Sequence, residues 1–125
     1  MKPGGVAAFL LACAAASLLH HAHNAEFLHE YPNLPASLTR GGVYAAWLGE
    51  ALVGLAGYVL LRTGRKRSGL ALIGAYALIG FGGLAHYLAA PAAAHTPAMN
   101  ATIWLEALAA ALLLAAVFRR MAARP

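Results

Sequence analysis

VYAAWLGEALVGLAGYVLL, residues 43–61, is apolar from end to end except for one carboxylate, Glu50. Its length is close to the roughly 20 residues that a helix needs to cross a hydrocarbon core about 30 Å thick. Three more apolar runs accompany it, at residues 6–19, 70–90 and 101–118. The first is short, and it spans only if its helix continues through His20 and His21 toward Asn24, with the imidazoles at headgroup level. The pattern predicts an all-α fold, an integral membrane four-helix bundle with spans at about residues 5–23, 42–62, 69–90 and 98–118 and a single transmembrane domain over 1–125.

Composition points the same way. The chain is 62% hydrophobic and only 10% charged, whereas a soluble domain of this size needs about a quarter of its residues charged. A signal peptide is the competing reading of residues 1–25, because Lys2 precedes an apolar run. Cleavage after Ala22 or Ala25 would put His20 or His23 at the minus-three position, where a small residue is wanted, so an uncleaved span is expected. Cys13 follows Leu10, Leu11 and Ala12 in a loose lipoprotein-box pattern, but it lies too near the start for lipidation to be expected, and a lone cysteine forms no internal disulfide.

The net charge of +5 is distributed as a topology signal and gives no reason to expect nucleic acid. Arg62, Arg65, Lys66 and Arg67 fill the connection between spans two and three, Arg119, Arg120 and Arg124 follow span four, and Lys2 precedes span one. An even number of spans gathers these clusters on one face, which the positive-inside tendency assigns to the cytoplasm. Both termini are then cytoplasmic, and two loops, residues 24–41 and 90–99, lie on the outer face of a cell inner membrane. Pro32 and Pro35 interrupt the first loop, while Thr96 and Pro97 read as the N-cap and first helical position of span four. Tyr44, Trp47, Tyr87 and Trp104 fit an aromatic belt near the outer interface.

All six histidines and all four carboxylates fall in or toward that outer half. Glu50 lies about 10 Å below the start of its span at 1.5 Å per residue, and Glu106, in the echoing stretch WLEAL, sits at nearly the same depth. An ionised carboxylate there costs at least ~2.5 kcal/mol, so each is expected to face the bundle interior and either be protonated or have a partner, with His86 and His20 or His23 nearest. The echo suggests a repeat of two hairpins, but Gly49 shifts the register: Trp47 shares a face with Glu50, whereas Trp104 points away from Glu106. Gly82 and Gly83 just before His86 loosen that helix or make room for a ligand, although close packing is the commoner reason for glycine in a span.

The segment HHAHNAEFLHE, residues 20–30, is the richest in ligands. If span one stays helical to Glu30, then His20, His23, Glu26 and Glu30 share a face, while His21 and His29 point away. Neutral imidazoles with carboxylates suit copper, zinc or iron, and the candidate ligands are His20, His23, Glu26, His86 and His95, with the buried acids Glu50 and Glu106 deeper. Glu26 and His29 have the Glu-x-x-His form of di-iron bundles, which need two copies where this chain has one.

In size and span count the chain resembles the small multidrug exporters, whose membrane glutamate exchanges protons for cationic drugs. That glutamate lies in the first span, and here the first apolar run carries no acid. The expected function is a small polytopic membrane protein that binds a metal ion or metal-centred cofactor. The alternatives are a proton-coupled transporter using Glu50 and Glu106, or a non-catalytic subunit that packs in a homo-oligomer or larger complex in the lipid bilayer. Lipid chemistry by a glutamate and histidine pair is a further option, without a nucleophile motif to support it.

Overall fold

The computed structural model describes residues 3–123, so Lys2 and Arg124 lie outside the described residues. The chain is all-helical: α1 (Pro3–Glu26), α2 (Arg40–Arg62), α3 (Lys66–Ile79), the single turn α4 (His86–Ala89) and α5 (Pro97–Ala122). Gly5–Glu26, Arg40–Arg62, Lys66–Ala89 and Pro97–Ala122 are long and apolar enough to cross a membrane, as the hydropathy pattern predicts. Neighbours pack in the cyclic order α1, α2, α3, α5, closing a four-helix bundle with α1 against α5.

Local chemistry sets the ends of these helices. The Thr39 hydroxyl accepts from the Gly42 amide at 3.0 Å and starts α2. The Thr96 hydroxyl accepts from the Met99 amide at 3.2 Å ahead of Pro97, the expected start of the last span. Gly64, at φ 88°, ends α2, and the Arg65 amide closes back on the Leu60 carbonyl at 2.9 Å. α1 stops at Glu26 rather than running on to Glu30, because the chain turns there to tuck the Tyr31 ring, 4% exposed, back against the bundle. The loop is pinned at Asn33, whose side chain donates to the Ala89 carbonyl at 3.0 Å.

The helices contact one another through small residues and present large ones outward, the arrangement expected where lipid is as apolar as leucine. On α2 the stripe Leu48, Leu52, Leu55 and Val59 is exposed, while Gly54 and Gly57 are buried against α3. Trp104 also faces outward, 57% exposed, two residues before fully buried Glu106. Toward the arginine end the interior is a mainly apolar cluster of Val6, Cys13, Leu70, Ile73, Leu113 and Val117, joined by the buried ring of Tyr76. Above it, toward the histidine-rich end, the third span departs from a continuous α-helix. After Ile79 the bonds shorten to i→i−3, with Phe81 donating to Leu78 at 3.2 Å and Leu84 to Phe81 at 3.0 Å, and Gly82–Ala85 form a 3₁₀ turn.

Candidate metal centre

The site is built on one full turn of α1. Adjacent residues on a helix diverge by about 100°, so His20 and His21 address different neighbours. His20, 3% exposed, faces α5, and its Nδ1 lies 3.4 Å from Thr102 Oγ1. That hydroxyl donates its own proton to the Met99 carbonyl at 3.0 Å, so it accepts from His20 Nδ1–H. The Nε2 lone pair of His20 is thereby turned toward Glu106, 3.8 Å from Oε2. His21 faces α2 as well: its Nδ1–H donates to the Ser17 carbonyl at 2.9 Å, which leaves the Nε2 lone pair 3.6 Å from Glu50 Oε2. A carbonyl only accepts, so Nδ1 carries a proton, and in the neutral ring Nε2 is the free lone pair. Glu106 Oε1 lies 3.9 Å from His21 Nδ1, which brings the two acids to either side of one imidazole.

The centre is therefore rich in lone pairs and poor in donors. His21, Glu50 and Glu106 each offer a ligand atom within 4.8 Å of one another. Ser17, whose hydroxyl lies 3.4 Å from His21 Nδ1, hydrogen-bonds the Glu106 carboxyl, but Glu106 Oε2 is buried and has no partner of its own, which costs that oxygen its hydration. Gly83 keeps the room open. A Cβ there would stand 3.0 Å from Glu106 Oε2 and 3.3 Å from His20 Nε2, so the 3₁₀ turn places the backbone where no side chain fits easily.

Of the residues singled out in the sequence, Glu50 and Glu106 meet at one level around His21, and His20 joins them through Glu106. The others make their hydrogen bonds elsewhere, although the His86 ring lies 5.4 Å from that of His20. His23 Nδ1 pairs with the Tyr31 hydroxyl at 2.9 Å, and burial pushes that phenol up to about 12, so it keeps its proton. Glu26 is engaged by Arg40 at 2.7 Å and by the Tyr44 hydroxyl at 2.8 Å, tying the end of α1 to the start of α2. His86 Nε2 accepts from the Asn24 amide at 3.1 Å. His95 donates from Nδ1 to the Pro91 carbonyl at 3.1 Å, and its buried Nε2 has no partner. His29 and Glu30 are exposed, so neither the Glu-x-x-His motif nor the extended ligand face to Glu30 is assembled. His21, turned away from the expected face, is the residue missed.

The chain matches no family model, and comparisons with curated proteins and with solved structures give no match. Fold and site together define a class: a protein of four helices able to cross a membrane, with a histidine and carboxylate cluster toward one end that can hold a metal ion.

Proposed function

We propose that this chain is a multi-pass inner-membrane protein that binds one divalent transition-metal ion in its non-cytosolic half, with His21 Nε2, Glu50 and Glu106 as ligands and His20 beside them. The observation that carries this reading is the spacing of acceptors that face acceptors. His21 Nε2 and Glu50 Oε2 are 3.6 Å apart, and His20 Nε2 and Glu106 Oε2 are 3.8 Å apart. A proton shared directly between such atoms would draw them to roughly 2.5–3.2 Å. Two ligands of one tetrahedral ion, each bound at about 2.0–2.2 Å, lie roughly 3.3–3.6 Å apart, close to the 3.6 Å between His21 Nε2 and Glu50 Oε2; the ligand atoms of His21, Glu50 and Glu106 lie within 4.8 Å of one another and would close further around an ion.

Charge balance supports the same reading. A neutral imidazole with two carboxylates carries two negative charges, which a divalent cation cancels, removing an insertion cost of about 2.5–3.5 kcal/mol per acid. The Ser17 carbonyl behind His21 is the kind of outer partner that orients a ligating imidazole. Mixed nitrogen and carboxylate donors suit zinc, copper(II) or iron(II), and three protein ligands leave a coordination position free for water or substrate. The mainly apolar cluster beneath the centre favours binding over passage through the bundle, which counts against proton-coupled transport. The positions of Arg62, Lys66 and Arg119 support an orientation with that end in the cytosol.

The test is metal content. Protein purified in detergent and loaded with zinc should hold one equivalent by elemental analysis, and Glu50→Gln or Glu106→Gln should hold much less. Wild-type protein that retains no stoichiometric zinc, copper or iron after loading would overturn the assignment.

A further inference from the structure

A row of rings leads from the loop before α5 down to the centre. His95 lies 6.1 Å from His86, His86 lies 5.4 Å from His20, and His20 lies 5.5 Å from His21, measured between ring centres. Two imidazoles that share one ion, each at about 2.0–2.1 Å, have ring centres roughly 5–6 Å apart. Each step is therefore about the distance over which a cation can exchange one imidazole for the next without being released to the hydrocarbon.

Two buried acceptors along this row lack any donor. His95, 6% exposed, has its Nδ1–H engaged by the Pro91 carbonyl, so the unpartnered Nε2 is a free lone pair. Asn24, 8% exposed, donates its amide to His86 Nε2 while its own Oδ1 has no partner. Tyr31 lies against this group, its ring 4.9 Å from His86 and 6.4 Å from His95. Desolvated acceptors without donors are costly, and a chain of them is what a passing cation would require.

We infer that His95 and His86, with Asn24 Oδ1 between α1 and the third span, form a loading relay. The relay takes a borderline divalent cation from solution at the histidine-rich end and hands it through His20 to the His21, Glu50 and Glu106 centre. This inference rests on the proposed metal centre and adds its entry route. The ion meets His95 first, passes to His86 as the Asn24 amide turns its oxygen toward it, and reaches His20, whose Nε2 already faces Glu106.

The experiment measures the rate and the end point of zinc uptake separately, in nanodiscs, by mixing full-length protein with a zinc indicator. His95→Ala and His86→Ala should reach the wild-type zinc content but fill at least about tenfold more slowly, a step of the size that outer partners of a metal site produce. His29→Ala, exposed and outside the row, should fill at the wild-type rate. Any variant that elutes or melts unlike wild type is replaced by Asn at the same position. Unchanged filling rates in both variants overturn the relay and leave the centre standing. A lower final zinc content would make these residues permanent ligands and also overturns it. Wild-type protein that takes up no zinc overturns both readings.

Discussion

The two halves of the bundle solve different problems with the same four helices. Toward the arginine end, the interior is mainly apolar and the helices touch backbone to backbone: at Gly69 an added Cβ would stand 2.6 Å from the Leu61 amide nitrogen and 2.8 Å from the Gly57 carbonyl. Toward the histidine-rich end the third span breaks into a 3₁₀ turn, and buried acceptors, Asn24 Oδ1, His95 Nε2 and Glu106 Oε2, stand without donors. Close packing by small residues is how helices associate in lipid, whereas unsatisfied buried polar groups subtract from stability. One half holds the fold together, and the other gives up part of that stability to a cluster of buried polar groups.

The contrast predicts that affinity and stability separate by position. The largest effect belongs to Glu106→Gln, which keeps the side-chain volume and removes the charge. Zinc affinity should weaken at least about a hundredfold, while the melting temperature of the metal-free protein stays level or rises, because a buried carboxylate oxygen without a donor is gone. Calorimetric titration and a thermal melt in detergent measure the two. A fall in stability with unchanged zinc affinity would make Glu106 a packing residue. Gly69→Ala should do the reverse. Backbone atoms cannot yield to the new methyl as a side-chain tip can, so α2 and α3 must separate, at a cost of about 1–3 kcal/mol. The melt should shift down while the folded fraction still binds one zinc.

Much of the fold was legible because each span announces itself by length and apolarity, and the loops by Pro32, Pro35 and the Thr96–Pro97 start. The shared level of Glu50 and Glu106 was also legible, since depth follows from counting residues along a helix. Rotation was not. Counting cannot tell that α1 packs against α2 on one side and α5 on the other, so that neighbouring His20 and His21 serve two interfaces at once. A wheel drawn for one face discards His21, although the dipeptide itself marks a helix turned between two partners. The end of α1 at Glu26 was equally hidden, because it depends on Tyr31 returning to the bundle and on Arg40 and Tyr44 holding Glu26 from another helix. The break after Ile79 had a signal in Gly82 and Gly83, but packing was the stronger expectation; Gly83 in fact borders Glu106 and His20.

Smaller effects sharpen the boundary between the halves. Gly83→Ala places a methyl 3.0 Å from Glu106 Oε2, a contact the carboxylate can relieve by rotating slightly. Stability should change little, and zinc affinity should fall roughly tenfold, as for loss of an orienting neighbour. Unaltered affinity would mean that the ion sits on the Glu50 side of Glu106, away from the 3₁₀ turn.

Glu26→Gln should have the smallest effect, and it tests where the centre ends. Glu26 is exposed, and its partners Arg40 and Tyr44 are themselves near the surface. Such pairs are weakened by salt and solvent. Losing this one should lower the melting temperature slightly at low ionic strength and not at all at high. Zinc content and affinity should match wild type, because nothing ties Glu26 to His21 except the helix between them. If Glu26→Gln emptied the protein of zinc, the ion would have to sit at the helix end among the residues that a wheel run on to Glu30 selects. The buried acids would then be left to bind α1, α2 and α5 together, and the histidine-rich half would differ from the arginine half only in how its helices are joined.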